Sequence, residues 1–419
     1  MESASAEAAQ APHVPVGVMR LAGAAKEIVN MYRIQTMNKI SPVGLNRFDA
    51  ALYEVGDEVQ DPQGILVRSA KLLDMEFNPS LLAIARAGVG VNNIPLDRCA
   101  AAGIPVFSTP GANANAVKEL VVCAMLMGSR DIPGAIRWVR EQAASGVEVA
   151  TVVEKGKSAF VGPELYKKTL GIIGLGAIGS IVANTAISLG MDVYGYDPFL
   201  SVDTALRLDR HVHVVKDIND LYKRADYVTL HIHYTGKTAH MIDADAIAAM
   251  KRGVRVINLA RGEIVDDEAI LAALDTGKVA VYVTDFPNNR LLTAPHVIAM
   301  PHLGASTPES EQNCAAMAVD ELTDYLENGN IRRSVNLPDM VMDRSGVERL
   351  CILHKNVPGM LANITSLFGR DGVNVENLSN KSRGEYAYTM VDLGTKVAER
   401  VIEDVQHMAN VIRVRVLEW

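Results

Sequence analysis

The sequence predicts an α/β protein built on a doubly wound parallel sheet, flanked by a second, discontinuous α/β region and followed by a small βαββαβ module. Three observations predict it. Short β-type apolar runs alternate with helix-length segments from residue 32 to about residue 300, the pattern of parallel strands joined by crossover helices. One of those runs ends in a glycine-rich turn that opens a helix. After a polar stretch at 338–346 a separate strand–helix series begins.

The bulk properties set the frame. A chain of 419 residues holds two to three domains at ~150 residues each. With 49% hydrophobic and 21% charged residues it is not grossly disordered. Its 41 basic and 49 acidic residues give a net charge of −8, against a nucleic-acid binder, which usually carries a basic domain. No apolar run is long enough to span a membrane. Cys99, Cys123, Cys314 and Cys351 are far apart, which argues against a zinc site or disulfide scaffold and for a reducing cytoplasm.

Residues 1–30 are rich in alanine and lack the layout of a secretory signal; they are expected to be a disordered extension, with Met31 as the functional start. Runs 64–69, 81–87 and 105–108 read as buried strands. Residues 113–130 have helical spacing, an Asn cap and many apolar positions, and read as a long buried connecting helix. Strands are expected at 169–173, 193–196, 227–231, 254–258, 279–284 and 297–300, six in one doubly wound sheet. A helix over 309–328 ends at Gly329. The C-terminal module reads strand 349–354, helix 358–368 with Pro358 in its first turn and Gly369 at its stop, strands 373–378 and 386–393, helix 397–408 and strand 411–417, the order of a ferredoxin-like fold.

The strand at 169–173 runs into Gly174-Leu175-Gly176-Ala177-Ile178-Gly179, a G-x-G-x-x-G motif in the strand–turn–helix setting of a Rossmann-type dinucleotide site. Gly174 permits the tight turn, Gly176 lets a pyrophosphate approach the backbone, and Gly179 lets helix and strand pack closely. The helix N-terminus adds free N–H groups. Asp197, eighteen residues beyond Gly179, accepts ribose hydroxyls and repels a 2′-phosphate, which predicts NAD over NADP.

Two further sites follow predicted strand ends, where ligands bind in open α/β sheets. Arg261 in Asn258-Leu259-Ala260-Arg261-Gly262 can hold a carboxylate bidentately. His302 in Pro301-His302-Leu303-Gly304 can exchange a hydroxyl proton near neutral pH. Arginine clamp, histidine base and NAD together describe oxidation of a 2-hydroxy acid. The pairs His231/His233 and His211/His213 lack a third ligand at metal-site spacing, so no metal is expected, and His231 is read as rimming the adenosine side of the cleft.

On GLGAIG at 174–179, Asp197, NLARGEIVD at 258–266 and PHLGAST at 301–307, residues 32–338 resemble the D-isomer-specific 2-hydroxyacid dehydrogenases. The last module, with LHKNVPGML at 353–361, resembles an ACT domain. The resemblance implies a flavodoxin-like substrate domain at 31–124 and 303–337, an NAD-binding domain at 125–302, a linker at 338–347 and a regulatory domain at 348–419. It further implies that Ala177, Ile178, Asp197, Leu259, Ala260, Arg261, Asp285, His302, Leu303, Gly304 and Ala305 contact NAD, with Asp285 on the carboxamide. Val89 and Gly90 would meet the substrate carboxylate, and Arg68 with Ser69 a substrate phosphate, as in 3-phosphoglycerate. His354, Asn356 and Asn374 would bind an L-serine effector across a homodimer or homotetramer interface.

One departure stands out. The family places a Glu after the Asp-Phe-Pro-type turn to orient the histidine. Here Asp285-Phe286-Pro287-Asn288-Asn289-Arg290 has none, and the position falls on Asn289 or Arg290. An Asn can fix the imidazole tautomer but cannot raise its pKa as a carboxylate does. The alternatives are another 2-hydroxyacid dehydrogenase, such as a glyoxylate or hydroxypyruvate reductase, and a non-catalytic NAD-sensing binding protein.

Overall fold

The computed structural model describes residues 31–419 and the dipeptide Arg20–Leu21. The expectation of disorder before Met31 falls outside these residues, except that Arg20–Leu21 forms a short strand, β1. The chain divides into two compact units: residues up to Pro110 with Glu311–Trp419, and Gly111–Ser310.

The first unit holds a five-stranded sheet of Tyr32–Thr36 (β2), Tyr53–Gly56 (β3), Gly64–Val67 (β4), Ala83–Arg86 (β5) and Val106–Phe107 (β6) in the order β3-β2-β4-β5-β6. All its pairings are parallel. Strand β4 is buried at every position, as expected of a parallel strand covered on both faces.

The second unit begins with the helix Ala114–Arg130 (α1) and two shorter ones, Ile132–Ala144 (α2) and Val149–Gly156 (α3). Helix α1 is buried on one face only: Val117, Val121, Ala124, Met125 and Gly128 recur at helical spacing, while Leu126 is 36% exposed. Its N-terminal Asn113 makes no capping bond, because its backbone has left the extended conformation a cap requires. The sheet follows: Thr169–Ile173 (β7), helix Ala177–Ser188 (α4), Asp192–Tyr196 (β8), Val212–Val215 (β9), Tyr227–Leu230 (β10), Val254–Asn258 (β11), Val279–Thr284 (β12) and Val297–Ala299 (β13). The order β13-β12-β11-β10-β7-β8-β9 is parallel throughout and reverses direction beside β7. It has seven strands where six were expected. The extra strand, β9, is VHVV at the sheet edge, and its exposed histidine weakens the apolar run that marks the others. Neighbouring residues on the inner strands face opposite ways. Ile172, Tyr227, Ile257 and Val283 pack with Val121 and Met125 of α1. Ile173, Val228, Val256 and Tyr282 pack with Ile247, Ile270 and Leu274.

The helix Pro308–Asn328 (α5) carries the chain back into the first unit and stops at Gly329. The C-terminal module contains Glu348–Lys355 (β14), Met360–Arg370 (α6), Val375–Arg383 (β15), Tyr386–Leu393 (β16), Glu399–Gln406 (α7) and Val411–Glu418 (β17). Its sheet runs β1-β17-β14-β16-β15, antiparallel apart from the short β1 pairing. Helix α6 starts later than expected: Pro358 and Gly359 form the turn before it. Gly369 lies inside it, and the stop is Gly372, whose φ of +66° suits the left-handed turn beyond a C-cap.

The module is fastened to α5. The last four carbonyls of a helix have no partner within it. Here Arg415 donates to the carbonyls of Tyr325 (3.1 Å) and Leu326 (2.8 Å), Arg344 to Glu327 (3.1 Å) and Arg349 to Asn328 (2.8 Å). Tyr388 Oη donates to the Gly329 carbonyl at 2.7 Å. Arg349 is fully buried and uses all five of its N–H groups: two on the Asp392 carboxylate at 2.5 and 2.8 Å, the others on the carbonyls of Asn328, Met342 and Asp343. Residues 338–347 run through this junction, with Met340 and Met342 buried and Ile331 bridged to Met340.

Candidate active site

The glycine turn occupies the position where the seven-stranded sheet changes direction, the place where open α/β sheets bind ligands. Gly174 has φ +93°, and a Cβ there would sit 2.4 Å from the His231 carbonyl. A Cβ on Gly179 would lie 1.9 Å from the Gly174 carbonyl, so only glycine lets α4 cross β7 so closely. Gly176, the N-cap of α4, has nothing within 4 Å of an added Cβ. The turn therefore presents bare backbone at a helix N-terminus, with Ala177 and Ile178 in the first turn, which fits a pyrophosphate. Asp197, just past β8, accepts from Leu175 N (2.9 Å) and Phe199 N (2.8 Å). A carboxylate has about four acceptor sites, so capacity for ribose hydroxyls remains. His231 is partly buried with its Nε2 3.1 Å from Thr229 Oγ1, and desolvation pushes its pKa down to about 4.

The catalytic candidates follow consecutive strand ends. Leu259, Ala260 and Arg261 come after β11, Asp285 after β12, and His302, Leu303, Gly304 and Ala305 after β13. Phe286 joins them: its ring centroid is 4.7 Å from that of His302 and 5.6 Å from the Arg261 guanidinium carbon. Asn258, fully buried, holds the arginine's backbone, donating to the Arg261 carbonyl (2.8 Å) and accepting from Ala260 N (3.1 Å). Asp285 is 2% exposed and both carboxylate oxygens are buried without a hydrogen-bond partner. Burial raises its pKa to about 6, against smaller lowerings by its own backbone N–H and by Arg261. An acceptor left orphaned beside the glycine turn's sheet edge fits a ligand amide, such as a nicotinamide carboxamide. His302 is exposed, and its pKa is lowered first by partial desolvation and second by the Arg261 charge.

Two of the residues around the missing-Glu position are engaged elsewhere. Asn288 donates to Asp267 at 2.6 Å, Arg290 pairs with Glu268 at 3.0 Å, and Asn289 is exposed.

In the first unit, Arg68 and Ser69 follow β4, while Val89 and Gly90 follow β5, its direct neighbour. Ser69 N already donates to Asn38 Oδ1 at 3.0 Å. Arg86, which ends β5, was not singled out in the sequence. It donates from Nε to the Arg68 carbonyl at 3.0 Å, which anchors a second guanidinium at the same strand end. Its signal was its place as the last residue before a glycine-rich loop at a strand's carboxyl end. Phe286 and Asn258 were likewise legible only as parts of motifs.

In the C-terminal module, His354 is 2% exposed, with Nε2 2.8 Å from Thr389 Oγ1 and Nδ1 2.8 Å from the Lys355 carbonyl. Asn356 donates to the Gly384 carbonyl. Asn374 donates to Glu376 at the far end of β15: Val375 pairs with Leu393, whereas His354 pairs with Ala387. One chain thus brings His354 and Asn356 together but not Asn374.

Residues 122–304 match the D-isomer-specific 2-hydroxyacid dehydrogenase NAD-binding domain, and residues 350–413 the AHAS small subunit-like ACT domain. The chain is 31% identical over 408 residues to a D-3-phosphoglycerate dehydrogenase of Haemophilus influenzae, covering 93% of this chain and 96% of that one. To the enzyme of that name from Methanocaldococcus jannaschii it is 35% identical over 302 residues, 70% of this chain. The alignments span 55%, 51% and 60% of the relatives from M. jannaschii, Synechocystis and Bacillus subtilis. Among solved structures, an NAD+-bound 3-phosphoglycerate dehydrogenase of Entamoeba histolytica is 25% identical with a TM-score of 0.56, covering 73% of this chain and 99% of its own.

Proposed function

Because the chain belongs to the D-isomer-specific 2-hydroxyacid dehydrogenases, we propose that it is an NAD-dependent enzyme oxidising 3-phospho-D-glycerate to 3-phosphohydroxypyruvate, the first step toward L-serine. The observation that carries the reading is the gathering of Arg261, Asp285 and His302 around Phe286 at the sheet edge that also bears the glycine turn. NAD, when bound, supplies the acceptor for the hydrogen that leaves C2 with its electron pair. Gly174, Gly176, Ala177, Ile178, Gly179 and Asp197 hold its phosphates and ribose, and Asp285 its carboxamide. His302 takes the C2 hydroxyl proton. Its lowered pKa keeps the imidazole neutral and able to accept at neutral pH. Arg261 holds the carboxylate and stabilises charge growing on the C2 oxygen. Val89 and Gly90 offer N–H groups to the carboxylate, and Arg68, Ser69 and Arg86 bind the phosphate, since guanidiniums suit a dianion.

We assign the active form to a homodimer or higher homo-oligomer. Helices α2 and α3 contain no buried residue, yet they carry Ile132, Ile136 and Val153, all exposed. An exposed apolar arm of that kind suits a second copy. L-serine is assigned as effector, bound by His354 and Asn356 of one copy and Asn374 of another, which accords with their separation in one chain. A reducing cytoplasm suits the four unpaired cysteines. Among the described residues, no helix is long and apolar enough to cross a membrane.

The test is NADH formation from NAD and 3-phosphoglycerate, with and without L-serine. Turnover supports the reading and inhibition supports the effector. Turnover of glyoxylate or hydroxypyruvate with NADH but none of 3-phosphoglycerate would move the enzyme to another branch, and no turnover would leave an NAD-binding protein.

A further inference from the structure

Arg68 is not free. Its Nη2 lies 2.5 Å from Glu311 Oε1, and both side chains are 44% exposed. Glu311 stands in the first turn of α5, nine residues after His302 in sequence. We propose that Glu311 is an internal competitor for the substrate's phosphate: it occupies the Arg68 guanidinium when the site is empty and sets the affinity for phosphorylated substrates. This inference rests on the assignment of Arg68 to the phosphate.

The argument is electrostatic. Arg86 donates to the Arg68 carbonyl, so a second cationic side chain is anchored at the strand end that carries Arg68. Glu311 occupies the Arg68 guanidinium and offsets its charge. A half-exposed ion pair contributes only about 0–1 kcal/mol, so a ligand can displace it. A phosphate dianion offers more charge and more acceptor oxygens than a carboxylate, and charge-assisted bonds to Arg are stronger than neutral ones. A substrate with a plain hydroxyl at C3 offers neither and leaves the pair closed. Neutralising Glu311 removes both the competition and the repulsion that phosphate feels, and it changes nothing for the uncharged substituent.

The experiment compares wild type with Glu311→Gln and Glu311→Ala, the full chain in each case, by steady-state kinetics on 3-phosphoglycerate and D-glycerate. Inorganic phosphate binding is measured alongside by calorimetry. Both variants are expected to lower KM for 3-phosphoglycerate by about 3–10-fold, the scale of removing one exposed charge contact from a dianion. The change should sit in KM rather than kcat. Phosphate should bind more tightly by a similar factor, and KM for D-glycerate should move less than about twofold, as expected when no charge contact is altered. If both variants raise KM for 3-phosphoglycerate or leave it unchanged, Glu311 holds Arg68 in place rather than competing, and the proposal falls. An equal fall for D-glycerate also overturns it. If wild type turns over no 3-phosphoglycerate, the functional reading fails separately. The phosphate titration still decides on Glu311: tighter binding in the variants supports competition, and unchanged or weaker binding refutes it.

Discussion

The carboxyl edge of the seven-stranded sheet and the junction at the end of α5 both gather polar side chains, yet they are finished differently: His302 at the edge is exposed, whereas Arg349 and Asp392 are fully buried. At the junction every donor of Arg349 is used, Asp392 accepts from Arg349 and Ser345, and five consecutive carbonyls, Tyr325 to Gly329, each accept a side-chain bond. At the sheet edge both oxygens of Asp285 are orphaned, and Arg261 lies beside a histidine whose proton affinity it lowers. A buried unsatisfied group costs free energy, about 1–3 kcal/mol. A chain that completes one polar cluster and leaves another incomplete has kept the second for something outside itself.

The comparison can be broken most sharply at His302. Replacing it with alanine should lower kcat by ~10²–10⁴, the usual range for a positioned acid–base group. NADH binding, followed by fluorescence, should stay nearly intact, and a fully active variant would remove His302 from the chemistry. At the junction, Asp392→Ala leaves a buried guanidinium uncompensated and should cost about 3–5 kcal/mol of stability, read as a lowered calorimetric transition. The double replacement Arg349→Met with Asp392→Leu should cost less than the single one, because it removes both charges.

Asp285 sharpens the contrast by its sign. Its pKa rises from 3.8 to about 6 on folding, so the folded chain holds more protons in that window. Stability of the cofactor-free protein should therefore fall as pH rises from about 4 to 6 and stay reduced above. Asp285→Asn should abolish that slope and stabilise the free protein at pH 7 by roughly 1–2 kcal/mol, while weakening NAD binding. Denaturant midpoints across pH check it; an unchanged slope would mean that a partner reaches the carboxylate. The smallest effect is expected at Asn289. Wild-type oxidation should gain speed with pH through an apparent pKa below the ordinary ~6.5 of histidine, since partial desolvation and Arg261 both lower it. Asn289→Glu should move that pKa upward if residue 289 faces the imidazole. An unmoved pH–rate profile would mean that it does not.

The edge of the sheet was far more legible in the sequence than the junction. Gly174, Gly176, Gly179, Asp197, Arg261 and His302 announce themselves because backbone geometry and strand ends demand particular residues at fixed spacing. Arg349 and Asp392 are 43 positions apart and look like any charged residues on alternating strands; only β14–β16 pairing brings them together. The stretch 338–347 has a linker's composition, and nothing local reveals that its carbonyls serve Arg349. Strand β9 was missed because an edge strand needs little apolar surface, and the end of α6 was misplaced because two glycines compete for the stop.

The fastening of α5 also bears on how such a chain is inherited. Side chains from residues 344–415 complete Tyr325 to Gly329, so an ancestor that gained or lost this module at residue 338 would have exposed those carbonyls and stranded the arginines that meet them. Recombination that preserves folding has to carry the end of α5 along with the module. Such a boundary would lie inside a helix, upstream of where composition draws it.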